Sequence, residues 1–385
     1  MVTQTLPAPQ LRLAVGWMTL FVVGTDLFVV SPLLPTLAYH FTVTPSVAGW
    51  SVTAFSVLYA VGAPWWGARA DRVGKRPLIL WGLIGFSVAN ILTSVVPTFG
   101  LFVGSRMLAG FATAAIVPSI YALIADVAPS QHRGHWLSIV GSGLLISLWA
   151  GAPLGALVAR WAGWPVVFLS LSISTATLVV ANWWVWPQGL AIPEVSQVSS
   201  TVGTPWRPLL RDVTVTGFWA MAVYGFYTYL GTGLQRVDHL ATGLVATVFA
   251  AYGIGATVGS LSGGRLADRF GAQRMSTVGL FGLGGFLVLI GFLFRSTILL
   301  YPMMLFFAWA AYAFFPSFQS LLAERYPGRR GRALAWNNGA LYSGIALGAW
   351  LGGWVMSRWP FPVLPILCGT IALLTGLINR ERRKG

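Results

Sequence analysis

Long apolar runs separated by short polar gaps dominate the chain. A bilayer core about 30 Å thick needs roughly 20 mostly apolar residues for each helical crossing. Runs of about that length lie near residues 11–34, 47–66, 78–96, 101–123, 136–159 and 165–186. Six more lie near 213–234, 244–261, 275–294, 298–321, 333–356 and 362–378. The apolar residues are blocked into these runs rather than spread as amphipathic stripes, which is how a membrane span differs from a soluble surface helix. The pattern predicts an all-α membrane protein with twelve transmembrane helices.

Between Pro187 and Asp212 the pattern breaks into Pro, Gly, Ser and Thr, which interrupt helices. This stretch predicts a linker, 187–212, between an N-terminal bundle, 1–186, and a C-terminal bundle, 213–385. The two parts also repeat. Gly67-Ala-Arg-Ala-Asp-Arg-Val-Gly74 follows the second span and Gly264-Arg-Leu-Ala-Asp-Arg-Phe-Gly271 follows the eighth, both reading G-x-x-A-D-R-x-G. A fainter echo links Asp126, Pro129 and Arg133 to Glu324, Pro327 and Arg330. Repeats of six spans predict two pseudo-symmetric six-helix bundles with a substrate path between them.

Composition sharpens this reading. Hydrophobic residues make up 56% of the chain and charged residues 9%, too few charges to cover a soluble surface. The formal charge of +15 invites comparison with nucleic-acid-binding proteins. Such proteins carry basic patches on soluble surfaces, whereas here Lys and Arg gather in alternate gaps between apolar runs, so no nucleic-acid partner is expected. One side of the predicted spans holds nineteen of them, from Arg12 to Lys384, and the other only Arg160, Arg236, Arg295 and Arg358. The positive-inside rule then places both termini in the cytoplasm of a prokaryotic inner membrane. The segment from Met1 to Gln10 lacks a basic cluster, so the first apolar run is expected to be a permanent span rather than a signal peptide. A single cysteine, Cys368, leaves no internal disulfide and no multi-cysteine metal site.

With the repeated loop motif and three span motifs, the chain resembles the major facilitator superfamily. Within it, the closest likeness is to the twelve-span drug:proton antiporters and related sugar-efflux permeases. In the first span Asp26 precedes Val29-Val-Ser-Pro-Leu-Leu-Pro35, in the fourth stands Arg106-Met-Leu-Ala-Gly110, and in the fifth Gly151-Ala-Pro-Leu-Gly155. The last is similar to a glycine-proline signature of antiporters, with different spacing and fewer glycines. The resemblance implies the major facilitator fold, export rather than uptake, and a role for Arg106 in proton translocation.

Asp26 and Arg106 are the candidates for proton coupling. An ionisable side chain within a span is expensive, faces a cavity or partner, and marks an ion or proton path. Burial favours the protonated carboxyl group and a nearby cation favours the ionised one, so such a group can be tuned to load and release a proton. Asp26 lies about seven residues before the outer end of its span and Arg106 about seven after the outer start of its own, which predicts similar depth at 1.5 Å per residue. A purely structural ion pair joining two helices is the plainer alternative.

The resemblance implies that the loop residues Gly67, Asp71, Arg72, Gly74 and Arg76, with Asp268 and Arg269 in the second copy, lock the cytoplasmic gate when the outside is open. Carboxylates there can sit against helix N-termini and arginines, while Gly67 and Gly74 permit close helix approach and a tight turn. Topology alone would need the positive charges but not the recurring Asp and Gly. Gly151, Pro153 and Gly155 predict a hinge or a tight helix seam in the fifth span.

Aromatic residues suggest the pocket. Phe55, Tyr59, Asn90 and Tyr121 from the first half, and Tyr224, Tyr227, Phe307 and Tyr312 from the second, are candidate substrate contacts. An apolar cavity with a few polar tips suits bulky amphipathic ligands. Trp and Tyr also belong at membrane interfaces and Phe in helix packing, which is the plainer reading of any one of them.

No G-x-x-x-x-G-K-[ST] motif points to ATP, and His132-x-x-His135 lacks the support of further metal ligands. No nucleophile-plus-base constellation argues for an enzyme. The expectation is therefore a monomeric secondary transporter without cofactor, driven by the proton gradient, exporting small amphipathic or hydrophobic compounds by alternating access. The alternatives are a sugar or metabolite exporter and an uncoupled facilitator.

Overall fold

The computed structural model describes residues 8–129, 132–187, 206–237, 242–294, 296–326 and 330–381. Among them every regular element is helical. The chain begins with α1 (Pro9–His40), the one-turn α2 (Pro45–Ala48), α3 (Trp50–Val73), α4 (Lys75–Val95) and α5 (Phe99–Val127). It continues with α6 (Arg133–Ile146), a π-helical turn (Ser147–Gly151), α7 (Ala152–Ala162) and α8 (Trp164–Val185). After the mid-chain stretch come α9 (Trp206–Val237), α10 (Thr242–Phe270), α11 (Ala272–Leu293), α12 (Thr297–Arg325), α13 (Arg330–Met356) and α14 (Val363–Glu381).

Counting α6, the π turn and α7 as one interrupted crossing, these elements fall on the twelve apolar runs. Ten of the crossings are long and apolar enough to span a bilayer by themselves. The remaining two, α9 and α13, are long enough but diluted, α9 by Thr and Tyr and α13 by Asn337, Asn338 and several glycines. Residues 206–212, expected in the linker, already belong to α9, because Trp206 and Leu209–Leu210 extend the helix outward from the apolar run. The rest of that linker, 188–205, lies outside the described residues.

The connections follow from local chemistry. The last glycine of each motif copy, Gly74 and Gly271, has a φ of +87° and +90°, a conformation open to glycine but strained for other residues. Each lets a long helix reverse directly into the next. Thr44 and Thr98 cap α2 and α5 by accepting the amides of Val47 and Leu101.

Helix packing sorts the crossings into two sets. In the first, α1 packs on α6, α7 and α8, α3 on α5, and α4 on α5 and α8. In the second, α9 packs on α13 and α14, α10 on α12, and α11 on α12 and α14. Small residues set the tightest pairs. Gly255, Gly259 and Gly263 recur every fourth residue on α10, and a Cβ at any of them would collide with the backbone of Leu305, Trp309 or Ala313 on α12. Gly344, Gly348 and Gly352 press α13 onto the backbone of Gly217, Met221 and Gly225 on α9 in the same way. The two sets meet through α1 with α9, α3 with α13, and α10 with α6, the π turn and α7. The two diluted helices thus lie where the halves face each other.

Candidate functional site

The R-x-x-x-G spacing of α5 builds the centre of the first half. Arg106 and Gly110 lie one turn apart on one face. A Cβ at Gly110 would collide with the carbonyl of Phe55, so glycine lets α3 approach and sets the Phe55 ring near the guanidinium, 5.1 Å away. Phe168 of α8 lies on the same cation at 5.4 Å. Between them, Arg106 donates from Nη1 to Asp26 Oδ1 at 2.8 Å and from Nη2 to Oδ2 at 2.7 Å. The pair is bidentate and sealed, with side-chain exposures of 1% and 0%. Two parallel charge-assisted bonds are the strongest form of such a contact. Arg106 Nε has no hydrogen-bond partner.

Asp26 is held from its other side by the interrupted crossing. A Cβ at Gly151 would collide with Thr25, and one at Gly155 with Val29, so the small residues of the fifth span form a tight seam along α1. The π turn ends at Gly151, just before Pro153, and widens the helix where Trp149 reaches the backbone of Gly253 on α10. π turns within helices concentrate at functional sites.

In the second half the matching helix pair, α9 and α12, carries an ion pair only at its ends, where Arg325 donates to Asp212 at 3.0 Å, and its middle is joined without charge. The hydroxyls of Tyr224 and Tyr312 lie 3.2 Å apart, and Tyr252 of α10 donates to Tyr312 at 3.2 Å. Trp219 donates to the carbonyl of Ala311 at 2.8 Å and stands perpendicular to both Tyr224 and Tyr312. Tyr227 donates across the molecule to the carbonyl of Phe28, at 3.2 Å, and the Phe28 ring stacks with Tyr224 at 6.4 Å. Phe28 stands two residues after Asp26, so the ion pair and the phenol cluster are neighbours through α1.

The other expected contacts divide. Tyr59 stacks on Tyr342 of α13 with ring centroids 3.4 Å apart, at the seam between the halves. Phe307 lies behind Tyr252, 5.6 Å away, fully buried. Tyr121 is half-buried with its hydroxyl beside Gly141 of α6. Asn90 is buried within the first half and donates to the carbonyl of Phe86 on its own helix at 3.0 Å. Its helix packs on α5 and α8, so the structure does not bring Asn90 to the seam. Phe28, Tyr252 and Tyr342 were not anticipated. Their only sequence signal is a polar-tipped or aromatic ring in mid-span, which the plainer packing reading absorbs.

Among the described residues, the hydrogen bonds between the halves gather toward one face. At the face opposite the termini, Ser46 donates to the carbonyl of Gly353 at 2.5 Å and Thr53 to that of Ala346 at 3.5 Å. Ser31 donates to the carbonyl of Tyr227, and Gly231 sits on the backbone of Ser31 and Pro32. Tyr59 on Tyr342 is the innermost step of this zip. At the face bearing the termini, a Cβ at Gly67, Gly134, Gly264 or Gly339 would meet nothing.

The motif loops are therefore not in the close approach expected of Gly67. Arg72, Asp268 and Arg269 are exposed, and the side chain of Asp71 lies outside the described residues. Arg76 donates to the carbonyl of Trp183 and lies over that ring at 4.8 Å, within its own half. A lock between the halves would need contacts at this face that the described motif residues do not make.

The comparisons with known proteins agree with this architecture. The Major Facilitator Superfamily matches residues 16–248 and 234–383. The uncharacterized MFS-type transporter YceJ of Bacillus subtilis (strain 168) is 27% identical over 89% of this chain and 89% of its own. The inner membrane transport protein YdhP of Escherichia coli (strain K12) is 28% identical over 97% and 96%. A chloramphenicol resistance protein of Streptomyces lividans is 26% identical over 71% and 70%. The crystal structure of a D-xylose-proton symporter superposes with a TM-score of 0.83 over 96% of this chain and 97% of that one, at 17% identity, and shows the shared fold. The chain belongs to the Major Facilitator Superfamily and is a multi-pass membrane transporter, not an enzyme.

Proposed function

We propose that this transporter is a proton-coupled exporter of small amphipathic or hydrophobic compounds, working by alternating access. The observation that carries the reading is the sealed Asp26–Arg106 pair, since a buried ionisable pair in mid-membrane is retained at a cost and marks an ion path. The resistance protein among its relatives supports export as the direction. Both termini are placed in the cytoplasm of a bacterial inner membrane by the distribution of Lys and Arg. The structure is then open to the cytoplasm, and the unit is a monomer whose bundles, 1–186 and 213–385, rock about the linker.

In this cycle a proton taken up by Asp26 from outside neutralises the carboxylate and releases the Arg106 guanidinium from its two bonds. Phe28 and Ser31, which carry the seam to α9, follow Asp26 on the same helix. Loss of the ion pair therefore loosens α1 where the halves meet. Release of the proton to the cytoplasm restores the pair. The protein itself supplies the carboxylate, its counter-charge and the rocking seam, with no cofactor.

The test is transport in proteoliposomes with an imposed pH gradient, comparing wild type with Asp26→Asn. Gradient-driven drug movement in wild type and its loss in the variant is the expected result. Movement indifferent to both gradient and variant would leave an uncoupled facilitator.

A further inference from the structure

We propose that the central site selects substrates carrying no positive charge, namely neutral aromatic-sized compounds with exposed hydrogen-bond acceptors, and rejects lipophilic cations. The proposal rests on the exporter reading above and narrows its substrate class. It starts from a charge balance. The chain has nine acidic residues, and only Asp26 stands away from a helix end or a connection. Asp71, Asp126, Asp268, Glu324 and Glu381 close α3, α5, α10, α12 and α14, Asp212 lies in the opening turns of α9 and pairs with Arg325, and Glu194 and Asp238 lie outside the described residues. Among the described residues the middle of the bundle therefore has one carboxylate, and both of its oxygens are taken by Arg106.

The sign of the core follows for both states of the cycle. With Asp26 ionised and paired, the core is neutral. With Asp26 protonated, Arg106 leaves it with one positive charge. In neither state is it negative. A cation entering from water would give up its hydration with no counter-charge to meet it, which is the unfavourable case for any buried ion.

Aromatic faces can attract cations in place of a carboxylate, but here they are occupied. Trp219 stands at 90° to Tyr224 and 80° to Tyr312, and Tyr252 at 82° to Tyr312, so these rings are engaged with one another edge to face. What the cluster offers instead is a donor. Tyr224, Tyr312 and Tyr252 have three hydroxyl hydrogens and share two bonds, which leaves one hydrogen unspent. Arg106 Nε–H is a second unspent donor. A carbonyl, nitro or hydroxyl oxygen on a neutral ligand satisfies such a donor without bringing charge.

The experiment measures equilibrium binding to the purified full-length protein, by calorimetry, for chloramphenicol as the neutral acceptor-bearing probe and tetraphenylphosphonium as the cation. Wild type is compared with Tyr312→Phe, which keeps the ring and removes the hydroxyl. The expected result is chloramphenicol binding at least about tenfold tighter than the phosphonium. It should weaken about fivefold in Tyr312→Phe, the effect of one lost hydrogen bond. Phosphonium binding as tight as chloramphenicol or tighter would overturn the charge selection while leaving the exporter reading intact. An unchanged affinity in Tyr312→Phe would remove the phenol cluster from the site. Binding of neither probe would overturn the proposal, and the proteoliposome assay would then decide separately whether the exporter reading fails with it.

Discussion

At mid-span the same helix pair is joined by opposite chemistry in the two halves. In the first half, α1 and α5 are held by the Asp26–Arg106 ion pair, sealed from solvent. In the second, α9 and α12 are held by two phenol hydroxyls 3.2 Å apart and by an indole on a backbone carbonyl. The scaffold repeats while the contents differ. A protonatable centre needs a carboxylate and a counter-charge, and at mid-span these sit in the first half, the second half's Asp212–Arg325 pair lying at the helix ends. The middle of the second half presents rings and hydroxyls, which can bind a ligand but keep their protons near neutrality. On the proposed reading, the two tasks of a coupled transporter are divided between halves and joined through Phe28, which follows Asp26 and stacks on Tyr224.

The sharpest break in this contrast is Arg106→Gln. Removing one partner of a buried pair strands the other charge, and the expected loss is about 3–5 kcal/mol. Thermal unfolding in detergent should show it, with Asp26→Asn combined with Arg106→Gln recovering much of the loss because no charge is then stranded. A double variant no more stable than Arg106→Gln alone would mean that the arginine works through packing on Phe55 and Phe168.

Next in size is Gly231→Leu. A Cβ at this glycine would stand 2.8 Å from the carbonyl oxygen of Ser31 and 3.2 Å from Cα of Pro32, both backbone, so a side chain there must part α1 from α9. The expected strain of about 1–3 kcal/mol falls on the closed seam. It should raise maleimide labelling of a cysteine placed at Thr53→Cys. The native Cys368 is buried and contributes little background. Labelling that stays flat would mean that this seam does not open.

A smaller effect is expected from Tyr224→Phe. Loss of one neutral hydrogen bond changes stability by about 1 kcal/mol, well below the Arg106 variant, and that difference is the direct measure of the contrast between the halves. Equal losses in the two variants would erase it. The smallest effect belongs to Lys75→Ala. Lys75 pairs with Asp126 where both are partly exposed, and such pairs contribute about 0–1 kcal/mol. A large shift in unfolding temperature there would assign this pair a role that its exposure does not suggest.

Much of the fold was legible in the chain. The twelve runs, the mid-chain break and the duplicated G-x-x-A-D-R-x-G are local properties, and the helices fall where they predict. The positive φ at Gly74 and Gly271 gives the repeated glycine its physical reason. Asp26 and Arg106 stood out because charge in a span is rare, and a depth count along two helices was enough to bring them together. Asn90 did not reach the seam, and Tyr252, Tyr342 and Phe28 went unread.

The division has one physical source. Hydropathy states that a helix crosses the bilayer, and charge states where its ends lie, because lipid and water differ so strongly. Lipid and protein interior are both apolar, so the sequence gives little sign of which face of a span meets lipid, its own bundle or the other half. That rotation was decided by small residues at four-residue spacing and by the fit of rings across the seam. The open space at Gly67 and Gly264 was likewise set by how two similar bundles rest against each other, a balance that no single stretch of the chain encodes.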